Sequence, residues 1–176
     1  GNEGGISERE LRTQMYHALL GGAFGQLYGN APQWYFSAKA ADYAADRKGL
    51  DWKRYLDGFG ASSISVAANL ADQFPLHRLE PAFSHRVVTA GSGEMGTGYA
   101  PMAYAPDLAI GYLPEAREMV IDTSVFDGIM SARWRSPADG SDTVIGSLAS
   151  AETVRLAPPG AGDWLLILEA ANQPYR

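Results

Sequence analysis

Leu11, Met15 and Leu19 recur at i, i+4 and i+8 with Ala18 beside them, which predicts a helix with one buried stripe. Ser7-Glu8-Arg9-Glu10 opens it as a capping box: the Ser hydroxyl and the Glu carboxylate three residues on each close a free backbone N–H. Gly21-Gly22 ends it. Residues 23–27 are a short apolar run between glycines, the pattern of a strand buried on both faces. Residues 51–57 predict a short helix with Trp52, Tyr55 and Leu56 inward. Residues 62–73 predict another through Ile64, Ala67, Ala68 and Ala71, stopped by Pro75.

After Pro75 the period changes. Residues 86–89, 102–105, 108–113, 118–121, 128–135, 153–156 and 164–169 are short runs rich in β-formers. Gly91-Ser92-Gly93, Pro106-Asp107, Pro114-Glu115, Asp139-Gly140 and Pro158-Pro159-Gly160 separate them as turns. This spacing predicts an antiparallel sandwich. In Arg133-Trp134-Arg135 charge alternates with an aromatic, as on a strand with one wet face. The stretch from Gly21 to Trp34 reads as a helix end, a buried strand and a loop of aromatics. That layout suits the C-terminal end of a barrel strand, where α/β-barrel enzymes place their ligand contacts. A barrel needs eight such units and one is present. The expected fold is therefore α+β: a helical, partial (β/α)8-barrel remnant over residues 1–78, then an antiparallel β-sandwich over 79–176.

At 46% hydrophobic and 19% charged over 176 residues, the chain can bury a core. A formal charge of −6, with no basic run longer than Arg47-Lys48 or Lys53-Arg54, argues against nucleic acid and anionic membranes as partners. No apolar run approaches the ~20 residues of a membrane helix. The absence of cysteine excludes disulfides, thiol nucleophiles and thiolate metal sites. The chain opens on Gly1 rather than Met, so any targeting segment is expected upstream of it.

Tyr28, Trp34, Tyr35 and Phe36 cluster on one loop. Sugar C–H faces stack on such rings, and indole N–H or phenol O–H groups bond hydroxyls. Trp34 is the stronger ligand contact and Phe36 the stronger packing residue. His17, His77 and His85 have no ligand spacing, so no metal or other cofactor is expected. No Gly-x-Ser-x-Gly elbow occurs. Gly91-Ser92-Gly93 with Gly96 and Gly98 reads as a flexible hairpin loop, not a phosphate cradle. Tyr99, Tyr104, Tyr112, Trp134 and Trp164 could line a carbohydrate platform, although aromatics at strand spacing, Trp134 and Trp164 above all, are more often core. Asp122, Asp127, Asp139 and Asp142 read as turn formers.

Gly22-Ala23-Phe24-Gly25-Gln26-Leu27-Tyr28-Gly29-Asn30 with Trp34 resembles a glycine-rich motif of the apiosidase-like glycoside hydrolases. The family's usual core is Gly-His-Thr-Tyr-Gly followed by a Trp. Three later stretches resemble the small domain that commonly follows, described as a collagen-binding domain of a collagenase. These are Ala109-Ile110-Gly111-Tyr112-Leu113-Pro114, Arg133-Trp134-Arg135-Ser136-Pro137, and the Pro/Gly turn from Pro158 through Asp163-Trp164 into an apolar strand. The two likenesses cover nearly the whole chain in the expected order. The resemblance implies a parent that hydrolyses glycosidic bonds with paired carboxylates, about 5–5.5 Å apart in retaining enzymes and wider in inverting ones. One family carboxylate ends the barrel strand before this helix, and Glu3 matches that place four residues ahead of Ser7. Gln26, Tyr28, Asn30 and Trp34 are the implied substrate contacts. Gln26 stands where the family has His; it lacks an ionisable ring but can bond a sugar hydroxyl.

The chain is thus expected to be a C-terminal part of a bacterial glycoside hydrolase-like protein, extracellular or periplasmic, and inactive alone. Its implied partners are a carbohydrate substrate, the upstream barrel and, through an exposed barrel edge, a second copy of itself. A stand-alone module binding carbohydrate or a matrix protein is the alternative, and a purely structural domain is a third.

Overall fold

The computed structural model of the chain describes residues 6–29, 53, 56–83 and 86–171. Helix α1 spans Glu8–Leu20 and helix α2 Phe59–Gln73. Among the described residues nine strands follow: β1 Glu80–Pro81, β2 Val88–Ala90, β3 Met102–Ala105, β4 Leu108–Leu113, β5 Met119–Asp122, β6 Met130–Arg135, β7 Asp142–Leu148, β8 Thr153–Leu156 and β9 Trp164–Ala170. All the pairings are antiparallel, in a six-stranded sheet ordered β1-β3-β4-β9-β6-β7 and a three-stranded sheet ordered β2-β5-β8. The class is α+β, as the sequence predicts.

The central strands β4 and β9 are apolar on both faces because each face has its own cover. Ala109, Leu113, Leu166 and Leu168 point into the core shared with the small sheet, against Val88, Met119, Ile121 and Leu156. Leu108, Ile110, Tyr112, Leu165 and Ile167 point the other way, into a second core with Met15, Tyr16, Leu20, Ala67, Leu70 and Phe74 of the helical segment. The molecule is therefore three layers deep: helix pair, large sheet, small sheet. An antiparallel sheet with one wet face would show alternation; a run such as Leu108-Ala109-Ile110-Gly111-Tyr112-Leu113 signals the second cover.

Ser7 caps α1 as predicted, accepting from the Glu10 N–H at 3.2 Å while the Glu10 carboxylate takes the Ser7 N–H at 2.7 Å. The buried face differs from the predicted stripe. It carries Leu11, Arg12, Thr13, Met15, Tyr16 and Leu20, with Leu19 and Ala18 half-buried. Helix α2 starts three residues before the predicted 62 and buries Ser63, Val66, Ala67 and Leu70, leaving Ala68 and Ala71 exposed. It ends at Gln73 ahead of Pro75, as expected.

Four further expectations are corrected. Residues 23–27 are not a buried strand: they form no ladder among the described residues, and Phe24 and Leu27 are fully exposed. An apolar run becomes a strand only where neighbouring strands satisfy its backbone. The face of β6 that carries Arg133 and Arg135 is not wet, because α2 lies over it. Arg133 stacks on Phe74 at 5.5 Å and bridges Glu169, while Arg135 bonds Gln73 at 2.8 Å and clasps Asp142 at 2.7 and 2.9 Å. Strand β7, which contains Gly146 (φ +129°) and an irregular register, escaped prediction because the glycine interrupts its period. The Gly91–Gly98 segment is no flexible hairpin. It joins strands of different sheets, and the Arg117 guanidinium bonds the carbonyls of Gly91, Ser92 and Gly98 at 2.6, 2.9 and 2.6 Å. Of predicted helix 51–57, Trp52 and Tyr55 lie outside the described residues and Leu56 is exposed.

Truncating Ile110, fully buried beneath the helices, is expected to cost about 2–5 kcal/mol. Urea unfolding of Ile110→Ala should stay a single transition by both far-UV dichroism and tryptophan fluorescence. Two separated transitions would contradict a shared core.

Candidate functional site

Glu3, Asn30 and Trp34 lie outside the described residues. Gln26 is exposed and donates to the Leu27 carbonyl at 3.2 Å. Tyr28 is half-buried and lies against the first turn of α2, so close to Gly60 that a Cβ there would collide with its hydroxyl and ring. Tyr28 is thus seated on a helix N-terminus by a glycine.

A buried polar group lies where the helices meet the sandwich. Arg12, on the inward face of α1, sends its Nε and Nη2 to Asp163 at 2.7 and 3.0 Å. Asp163 stands just ahead of β9. Both side chains are nearly sealed, 7% and 8% exposed. Such a two-pronged pair fixes orientation as well as distance. Asp163 also accepts from the Tyr112 hydroxyl at 2.9 Å, and that hydroxyl lies 3.2 Å from Thr13 Oγ1. Arg12 Nη1 reaches Ser63 Oγ on α2 at 3.5 Å and faces Glu8 at 3.8 Å. One buried carboxylate therefore ties α1 and β4 to the start of β9, and Arg12 extends the group to α2.

Burial works against the Arg12 charge, but the hydrogen bond and charge of Asp163 outweigh it, so its pKa stands above the ordinary value. Tyr16 stacks on Tyr112 with ring centroids 4.9 Å apart. Burial pushes both phenols well above the ordinary tyrosine range. For Tyr112 the Thr13 hydrogen bond opposes this, while the Asp163 carboxylate adds to it. The nearby His17 bonds the Tyr99 carbonyl through Nε2 at 2.9 Å.

Sequence reasoning passed over Arg12 and Asp163, although a signal existed for each. Arg12 sits beside Leu11 and four residues before Tyr16, on the side the stripe buries. Asp163 precedes the apolar run 164–168, where a carboxylate is unusual unless paired.

The aromatics of the sandwich do not form a platform. Trp134 and Tyr112 are buried, while Trp164 packs on the core and bonds the Gly160 carbonyl at 3.0 Å. Asp122 and Asp139 act as turn formers, accepting from the Ser124 and Ser141 N–H groups at 2.9 Å each. Asp142 instead pairs with Arg135. His85 lies outside the described residues, and His77 is exposed in a 3-10 turn. Among the described residues no cluster of His, Asp and Glu could hold a metal ion.

Residues 1–78 match the family described as "Apiosidase-like, catalytic domain", and residues 88–169 match "Putative collagen-binding domain of a collagenase". The chain superposes on a glycoside hydrolase family 5 protein from Bacteroides vulgatus with a TM-score of 0.80 at 23% identity, over 99% of this chain and 38% of that one. It superposes on a second structure, described as a glycoside hydrolase, with a TM-score of 0.78 at 20% identity, over 97% and 38%. The chain thus spans 38% of the length of each, and at these identities the likeness carries the fold. No curated protein matches the chain.

Two predictions follow from the geometry of the Arg12–Asp163 pair and its tyrosines. Arg12→Met or Asp163→Leu alone strands a buried charge and is expected to cost about 3–5 kcal/mol in urea unfolding, whereas the double variant costs less than either. Additive losses would contradict direct pairing. A tyrosine whose folded pKa exceeds its unfolded value of about 10 adds stability that is intact below that pH and drains as pH rises toward the folded value. Stability should therefore fall from about pH 10 upward, less steeply in Tyr112→Phe. Equal alkaline profiles for the two proteins would refute it.

Proposed function

We propose that the chain is the C-terminal portion of a glycoside hydrolase, with the end of the catalytic barrel in residues 1–78 and an accessory β-sandwich in 79–176. The parent hydrolyses glycosidic bonds in an extracellular or periplasmic setting through two carboxylates. Glu3 is one, and its partner lies upstream of residue 1. Gln26, Tyr28, Asn30 and Trp34 belong to the substrate rim, and the ligand is a carbohydrate. Gln26 contributes hydrogen bonds in place of an imidazole.

The observation that carries this reading is the exposed apolar segment after α1. Phe24 and Leu27 stand wholly in solvent at 110% and 95% relative exposure, in a stretch that matches a catalytic-domain family. An apolar segment without a ladder partner fits a barrel strand whose neighbours belong to the upstream part of the protein. A self-contained binding or structural module is favoured by one feature, the helix pair sharing a core with the sheet. Residues 23–27, by contrast, belong to neither sheet of the sandwich, which supports the fragment reading.

A longer chain from the same reading frame is expected to release the aglycone from aryl glycosides, and this chain alone to release none. Glu3→Gln in the longer chain should lower kcat about 10²–10⁴-fold. Unchanged kcat in that variant would remove Glu3 from the mechanism. A reading frame beginning at residue 1 would overturn the hydrolase reading and leave the module.

A further inference from the structure

We propose that Asp163, a residue of the sandwich, is a positioning residue for the glycosidase site. The proposal rests on the reading that residues 1–78 end a catalytic barrel. In a (β/α)8 barrel each strand runs into the helix that follows it, so helix N-termini lie on the face that carries the site. The fifth residues of the two helices meet at one place: Arg12 of α1 reaches both Asp163 of the sandwich and Ser63 of α2. Helix α1 begins five residues after Glu3, and its Arg12 is clasped by Asp163 at 2.7 and 3.0 Å. Helix α2 begins at Phe59; Gly60 in its first turn seats the Tyr28 ring, and Ser63, one turn on, lies 3.5 Å from the same guanidinium. One carboxylate thus fixes α1, the helix that follows the candidate acid in sequence, and through Arg12 meets α2, against which the candidate rim residue Tyr28 rests.

Asp163 is itself held rigidly. Its carboxylate takes the Tyr112 hydroxyl, Gly162 before it has a φ of +99°, and the Trp164 indole after it is tied back to the Gly160 carbonyl. Arg9 and Glu115 make a second, exposed link 3.5 Å long at the same end of α1. A buried ion pair adds little stability over apolar residues of equal volume, but a two-pronged one imposes a single distance and orientation. Displacement of a catalytic group by about 1 Å can cost about a hundredfold in rate.

The test uses the longer enzyme, assayed on an aryl glycoside well below the unfolding temperature of every variant. Asp163→Asn is expected to lower kcat about ten- to a hundredfold with KM little changed, and Asp163→Glu to recover part of it. Tyr112→Phe keeps the ring stack, loses one bond to Asp163, and should show a smaller fall of the same kind. Leu168→Ala, buried between the two sheets, should lower Tm and leave kcat intact. Unchanged kcat in Asp163→Asn, or a loss in Leu168→Ala that tracks its lost stability, would overturn the proposal. If Asp163→Asn does not fold, unchanged kcat in Tyr112→Phe overturns it equally. A wild-type enzyme that cleaves no glycoside would instead defeat the hydrolase reading, and Asp163 would lose this role with it.

Discussion

Arg12 cannot remain charged on the buried face of α1 without a partner, and that requirement organises the molecule. An unpaired guanidinium there would be buried beside the rings of Tyr16 and Tyr112, at a cost no helix propensity offsets. Asp163 supplies the partner from the opposite end of the chain, 151 positions away. Once the pair forms, α1 has one place and one rotation on the sheet. Ser63 then meets the same guanidinium from α2, and the helix pair closes over β4 and β9 as a layer rather than as a loose appendage.

The large sheet depends on that layer as much as the layer depends on the sheet. Ile110 and Ile167 would be a broad apolar surface in water if the helices were absent, because the small sheet covers the opposite face alone. The polar groups near this surface are matched in the same way. Arg133 and Arg135 pair with Glu169, Asp142 and Gln73 beneath the C-terminal part of α2. Arg117 holds the Gly91–Gly98 crossover, where Gly91, with a φ of +88°, lies so tightly on the Glu118 backbone that a side chain has no room. The end of the sandwich that meets α1 is therefore built from rigid turns, as a support for another domain's site requires.

Strands β3, β4 and β8 could be placed to the residue from sequence, because their apolar runs end at strong turn residues such as Pro106-Asp107 and Pro114-Glu115. Capping made the start of α1 equally legible. What could not be read was anything set by partners distant in sequence. Residues 23–27 have the composition of a strand, but composition does not supply neighbours. The Arg133-Trp134-Arg135 alternation does indicate two faces, yet only the position of α2 decides that the charged one is covered. Arg12 looks like a solvated helix residue until Asp163 is placed beside it. Of the candidate site residues, Gln26 and Tyr28 fall among the described residues. The contact of Tyr28 with Gly60 joins two segments whose relation no local pattern encodes.

The central claim is that α1 and the sandwich are one cooperative unit fastened by a buried ion pair. Native-state hydrogen exchange measures this most directly, because interior amides of α1 and of β4 and β9 report their own opening free energies. If the account holds, amides near Met15 and Tyr16 open with the same free energy as those of Ile110 and Ile167, and with the same dependence on denaturant. Exchange of α1 by a separate, low-energy opening while β4 and β9 stay protected would contradict it.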